Sequence, residues 1–130
     1  MSNSLKVLVV DDYPTMVRIM RKLLKQIGYE NVDEANNGKD AFEKVCANDY
    51  GLIISDWNME PMTGFQLLEL VRARPQTATV PFILVTAESK PENILAAKNS
   101  GVTGYMIKPF NEKLLKERID QALGAVSAPA

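Results

Sequence analysis

Residues 52–64, LIISDWNMEPMTG, decide the fold. Leu52, Ile53 and Ile54 form a short apolar run that Ser55 and Asp56 end abruptly, and a turn segment with Pro61 and Gly64 follows at once. The pattern predicts a buried strand that delivers a carboxylate to its carboxyl tip. In an open α/β sheet, ligands bind in the crevice outside the carboxyl ends of the strands, so Asp56 is a candidate site residue by position alone. A loop-capping acid is the bland alternative for this one residue.

The flanking chain supplies the rest of such a sheet. Upstream, residues 5–10 (LKVLVV) read as a strand buried on both faces, stopped by Asp11 and Asp12. Pro14 suits the first turn of a helix in which Met16, Met20, Leu23 and Ile27, joined by Val17 and Leu24, recur at helical spacing until Gly28; Arg18, Arg21, Lys22 and Lys25 lie opposite. Residues 31–35 predict a short, edge-like strand, and residues 39–47 a second helix with Ala41, Phe42 and Val45 inward, joined by Cys46 as a small buried hydrophobe.

Downstream, Thr63 can cap a helix whose Gly64, Leu67, Leu68 and Val71 share a face, with Pro75 beyond its end. Residues 81–85 (PFILV) form a fourth strand ending at Thr86. Pro91 opens a fourth helix through Ile94, Leu95 and Ala97, closed by Ser100 and Gly101. A last short strand at residues 105–107 runs into Lys108 and Pro109, and Asn111 caps a final helix bearing Leu114, Leu115, Ile119, Ala122 and Leu123. The tail from Gly124 is expected to fray. Five strands alternating with five helices predict an α/β fold: a doubly wound, five-stranded parallel sheet with helices on both faces. The first, third and fourth strands are the most apolar and so central, which suits the order 2-1-3-4-5.

At 130 residues and 46% hydrophobic, the chain fits one domain, 1–130, with a core at about 5–123. A formal net charge of -1 with mixed signs offers no electrostatic footprint for nucleic acid or an anionic membrane. One cysteine and no histidine exclude an internal disulfide, a Cys/His zinc site and a Ser/His/Asp triad. Without an apolar run near the ~20 residues of a membrane span, or a secretion signal at the amino terminus, the expected compartment is the cytoplasm.

The carboxyl tips of strands one, three, four and five deliver Asp11 with Asp12, Asp56, Thr86 and Lys108 to one edge of one sheet. Each has a structural explanation alone, but their convergence points to chemistry. Carboxylates repel by about 4 kcal/mol per pair at 4 Å and an effective dielectric of 20. Lys108 can offset part of that repulsion, and a small hard cation bound through oxygens, magnesium above all, can offset the rest. If Asp11 and Asp12 hold the metal, Asp56 is free to attack a phosphoryl group, and Thr86 can hydrogen-bond a phosphoryl oxygen after transfer.

The segments VVDDYPTM, ISDWNMEPMTG, VTAESKPEN and GYMIKPF resemble the successive signatures of the receiver domain of bacterial two-component response regulators, over residues 5 to about 123. That resemblance carries the flavodoxin-like strand order with it. It implies that Asp56 is the phosphoacceptor, that Asp11 and Asp12 bind Mg2+ together with Asp56 and the backbone carbonyl of Asn58, and that Thr86 and Lys108 contact the phosphoryl group. It further implies that Tyr105 reorients with Thr86 on activation and that the Lys108-Pro109 bond is cis. One departure stands out: Glu60 intervenes between Met59 and Pro61, where receivers usually carry Pro directly after the Met, so the loop is expected to bend differently and to carry extra negative charge. Glu88 could tune hydrolysis or serve as a solvated acid at a helix start.

A flavin-binding relative would need a phosphate-cradling first loop, which Asp11-Asp12 would repel, and GxxxxGK[ST] occurs nowhere. The reading is therefore a switch rather than an enzyme, catalysing only its own phosphotransfer and slow autodephosphorylation. Its expected partners are a histidine kinase and a downstream protein read by the surface of helix four, strand five and helix five. Within the family, single-domain chemotaxis regulators that signal to the flagellar motor switch are the nearest pattern. A phosphate sink or relay in a stress or cell-cycle pathway is the alternative, and a non-phosphorylated adaptor a third. A monomer is expected.

Overall fold

Alternate residues of the strands face opposite sides of one sheet, and two hydrophobic layers result. In the computed structural model, which describes residues 5–87 and 90–127, the chain runs β1 (Val7–Val10), α1 (Pro14–Ile27), β2 (Val32–Ala35), α2 (Gly38–Ala47), β3 (Leu52–Asp56) and α3 (Gly64–Ala73). A 3-10 turn (Pro75–Thr77), β4 (Phe82–Thr86), α4 (Pro91–Asn99), β5 (Gly104–Ile107) and α5 (Glu112–Ser127) follow. The sheet is parallel throughout, in the order β2-β1-β3-β4-β5. Val7, Val9, Leu52, Ile54, Ile83 and Val85 pack under α1 and α5; Leu8, Val10, Ile53, Phe82 and Leu84 pack on the other side with α2 and α3. β1, β3 and β4 are buried at every position, as their unbroken apolar sequence predicts, whereas the polar β2 forms an edge.

Local chemistry sets the element ends. Pro14 occupies the first position of α1 and Gly28 ends it at φ 120, a left-handed value that favours glycine. Thr63 and Gln66 form a reciprocal capping box on α3, and Asn111 Oδ1 accepts from the Leu114 N–H at 2.9 Å to cap α5. Gly64 is required by close approach: a Cβ there would run into the Asp56 carbonyl oxygen, so α3 could not begin directly over the tip of β3.

Three expectations need correction. The first strand begins at Val7 rather than residue 5. Cys46 is exposed, because Ala41 and Val45 define the buried stripe of α2 and position 46 lies one residue, about 100°, beyond it. The final helix does not end near Leu123 but continues through Gly124 to Ser127, accepting the roughly 1 kcal/mol that an interior glycine costs relative to alanine. Leu95 is exposed; α4 turns Ala97 inward, and two residues of helical rotation put Leu95 on the far side. Glu88 and residues 128–130 lie outside the described residues.

Candidate functional site

The carboxyl edge of the sheet is polar where everything beneath it is apolar. β1 ends at Val10, so Asp11 emerges at its tip, where its Oδ1 accepts from the Tyr13 N–H at 2.9 Å in a local turn that leads into α1. Asp56 is the last residue of β3 and is paired in register with Val85 of β4; the next N–H, of Trp57, donates to the Val85 carbonyl at 2.8 Å. Thr86 ends β4, and its carbonyl accepts from the Lys108 N–H at 2.8 Å, which ties the tip of β4 to the segment after β5. The sheet register thus brings Asp11, Asp56, Thr86 and Lys108 together as the strand-end reading expects.

Oxygen atoms of Asp11, Asp12 and Asp56 lie within 4.8 Å of one another. Asp11 and Asp56 are only 5% and 6% exposed, whereas Asp12 is exposed. Lys108 Nζ sits 3.1 Å from Asp56 Oδ1 and 4.0 Å from Asp11 Oδ2. The contact with Asp56 is an ion pair at hydrogen-bonding distance, and Lys108 is the charge that faces this buried oxygen. Among the described residues, Lys108 thus pairs with both buried acids of the three-carboxylate cluster. Val9, Ile54, Met16, Met20 and Phe110 back the cluster from below, around a cavity of about 10 Å³, and supply the low-dielectric floor.

The ionisation equilibria follow from this. Burial, reinforced by the charges of Asp56 and Asp12, pushes the Asp11 carboxyl up to about 6 against the opposing Tyr13 N–H and Lys108. Burial also raises Asp56, with Asp12 adding to the effect and Lys108 opposing it. The donor set suits a hard divalent cation. Three carboxylates with oxygens within 4.8 Å of one another could each offer a ligand to one small cation that takes oxygen donors. The residues present fit magnesium in number, element and charge. Glu60, the departure in the loop, does not join this carboxylate cluster. Its bond to Pro61 is cis, as is Lys108-Pro109.

Two neighbours of the site, Met59 and Phe65, were not legible as such in the sequence. Met59 reads as a loop residue but is buried. Phe65 stacks on Trp57 with ring centroids 5.3 Å apart, and Trp57 in turn meets Tyr105 edge-on at 6.2 Å. This aromatic chain links the residue after Asp56 to the start of α3 and to β5; its only sequence signal is aromatic type, without periodicity. A larger groove of about 660 Å³ between α1 and α2 touches the site only through Asp11, and its other charged linings, among them Arg18, Asp40 and Lys44, are mixed in sign.

The comparisons with known proteins agree with this geometry. The response regulator receiver domain family matches residues 7–120. The chain is 40% identical to the chemotaxis protein CheY of Pseudomonas aeruginosa over 95% of its own length and 99% of that protein. It is 39% identical to chemotaxis protein CheY-3 of Vibrio cholerae, covering 93% of each. The solved structure of chemotaxis response regulator CheY4 of Vibrio cholerae superposes with a TM-score of 0.85 at 35% identity, over 92% of this chain and 99% of that one. With the sheet order, the acid cluster and the family match in agreement, the chain belongs to the response regulator receiver domain family.

Proposed function

We propose that this chain, as a single receiver domain, is a phosphorylation-driven switch that accepts a phosphoryl group on Asp56 from a histidine kinase. The observation that carries the reading is the placement of Asp56 at the tip of central β3, with Lys108 Nζ 3.1 Å from one oxygen and two further carboxylates beside it. Asp11, Asp12, Asp56 and the backbone carbonyl of Asn58 would hold magnesium, which when bound supplies Lewis-acid charge toward the phosphoryl oxygens. The chain's own residues do the rest. A carboxylate oxygen of Asp56 forms the new P–O bond as the P–N bond of the donor phosphohistidine breaks, and the departing imidazole nitrogen takes a proton from solvent. Lys108 turns from the carboxylate to the phosphoryl oxygens, and the Thr86 hydroxyl donates to one of them. Tyr105 follows Thr86, so that the surface built by α4, β5 and α5 changes.

That surface carries the output. Leu95 and Ile107 are 59% and 37% exposed there, which supports a partner-binding role for the face. The similarity to proteins named for chemotaxis supports the flagellar motor switch as the partner, with the chain acting as a cytoplasmic monomer. No helix among the described residues is long and apolar enough to cross a membrane.

The decisive experiment is labelling with a small phosphodonor, with and without Mg2+, in wild type and Asp56→Asn. Acid-labile label is expected only in wild type with magnesium; undiminished label on the variant would sink the assignment. Binding of the phosphorylated form to a motor-switch peptide then separates the chemotaxis reading from a phosphate sink or relay. A typical coupling of ~1–3 kcal/mol corresponds to roughly 5–150-fold tighter binding after phosphorylation, and equal affinity in both states would favour the sink.

A further inference from the structure

The side chain of Arg72, in the last turn of α3, reaches the loop between α4 and β5. Its Nε donates to the Gly101 carbonyl at 2.8 Å, its Nη2 to Thr103 Oγ1 at 3.2 Å and its Nη1 to the Thr77 carbonyl at 3.2 Å. Thr103 is itself fastened to the sheet: its Oγ1 accepts from the Phe82 N–H at 3.0 Å and its own N–H donates to the Phe82 carbonyl at 2.9 Å. One planar guanidinium therefore bridges the turn after α3, the exit of α4 and the residue before β5, which is itself bonded to the start of β4. A lysine could not satisfy three acceptors in this fork.

The exit of α4 is shaped for that contact. Gly101 has φ +88, and a Cβ there would lie 3.2 Å from Arg72 Nε, so both its backbone conformation and the guanidinium's approach favour glycine. The N–H groups of Ser100, Gly101 and Val102 return to the carbonyls of Ala96, Ala97 and Lys98 and close the helix. Within α4, Ala97 is the one buried residue; Asn93, Ile94 and Ala96 are half-buried and the other positions are exposed. The polar fastening by Arg72 thus acts just beyond the carboxyl end of the helix, while the helix itself rests on the sheet through one buried and three half-buried side chains.

We propose that Arg72 is a positioning residue that pins the carboxyl end of α4 to the sheet, so that the helix responds to the phosphorylation site by swinging about that end. The proposal deepens the switch reading above and rests on it for the source of the motion. It assigns the response to residues 91–96 and leaves residues 100–103 in place. Without the pin, the change at the site would dissipate as displacement of the whole helix instead of a defined change in the surface.

Amide hydrogen exchange on the full chain tests this, with and without Mg2+ and beryllofluoride as the acyl-phosphate mimic. Arg72→Lys retains the stem and the charge but loses the fork, and Thr103→Val removes one acceptor at near-constant volume. In the unactivated state, exchange at the Gly101, Val102 and Thr103 amides is expected to accelerate at least tenfold in Arg72→Lys, and less in Thr103→Val, while β1 and β3 keep their protection. On activation, within the span from α4 to Thr103, wild type is expected to change exchange at residues 92–96 only, and Arg72→Lys across 92–103. Unaltered protection at 101–103 in both unactivated variants overturns the pin, whatever activation does. A uniform response across 92–103 in activated wild type overturns the swing. If Mg2+ and beryllofluoride change neither Trp57 fluorescence nor α4 exchange in wild type, the switch reading falls and the swing with it, an outcome distinct from the unactivated result.

Discussion

The two ends of the sheet carry ionic clusters of similar size and opposite character. At the amino edge, Lys6 Nζ donates to Asn48 Oδ1 at 2.8 Å, pairs with Asp33 at 3.7 Å and lies 5.4 Å from the centre of the Tyr50 ring. The Tyr50 hydroxyl donates to Asp33 Oδ2 at 2.7 Å, and burial together with that carboxylate pushes the phenol's pKa up. Charges balance there and the polar atoms have partners. At the carboxyl edge, among the described residues, Lys108 pairs with both buried members of a three-carboxylate cluster, and burial raises both buried carboxyls. Same sheet, same residue types: the amino edge is satisfied in the isolated chain, while the carboxyl edge holds repulsion that a cation or a phosphoryl-transfer reaction can relieve. Removing a carboxylate should therefore stabilise the carboxyl edge, whereas removing a partner from the amino edge should cost stability.

The largest effect is expected for Lys108→Met. Removing the Lys108 ammonium takes away the cation paired with Asp11 and Asp56, and at pH 8 in chelator the fold should lose about 2 kcal/mol, less than for a fully buried pair because Lys108 is partly exposed. Chemical denaturation measures it, and added Mg2+ should restore part of the loss. No loss would mean that water already neutralises the site.

Asp11→Asn should go the other way. The amide keeps the acceptor for the Tyr13 N–H but removes the charge, so metal-free stability at pH 8 should rise by about 1–2 kcal/mol. The sign follows from linkage. The folded-state pKa of about 6 exceeds the ordinary 3.8, so the penalty of the ionised group is absent below about 3.8 and complete above about 6. In chelator, wild type should therefore gain stability as pH falls from 8 to 5, and Asp11→Asn should gain less. Parallel pH profiles for the two proteins would remove Asp11 as the source.

At the balanced end, Tyr50→Phe deletes a hydrogen bond to a carboxylate and should cost about 1 kcal/mol, independent of magnesium. A gain in stability there would erase the contrast between the two edges. The smallest change is expected for Asp12→Ala. Because Asp12 is exposed, its removal should relieve about 0.5–1 kcal/mol of repulsion in the metal-free protein while weakening Mg2+ binding by calorimetry. A net loss of stability would recast Asp12 as a structural cap.

Local sequence determined most of the architecture and the members of the central cluster. Periodicity places Leu52, Ile53 and Ile54 in a buried strand, and the abrupt stop puts Asp56 at its tip. The same reading at β1, β4 and the segment after β5 delivers Asp11, Thr86 and Lys108 to the same edge, because in a parallel α/β sheet every strand end after an apolar run lies on one side. Only the tertiary structure decided how these groups are paired and what surrounds them. That Lys108 lies nearer Asp56 than Asp11, that Arg72 reaches Gly101 and Thr103, and that Lys6 meets Asn48 are contacts between residues 52, 29, 31 and 42 positions apart, counting from Asp56 to Lys108 for the first. The exposure of Cys46 and Leu95 likewise depends on the rotation of α2 and α4 against the sheet. Periodicity records whether a residue faces a core; partners distant in sequence are chosen by strand register and helix packing, which no single segment encodes.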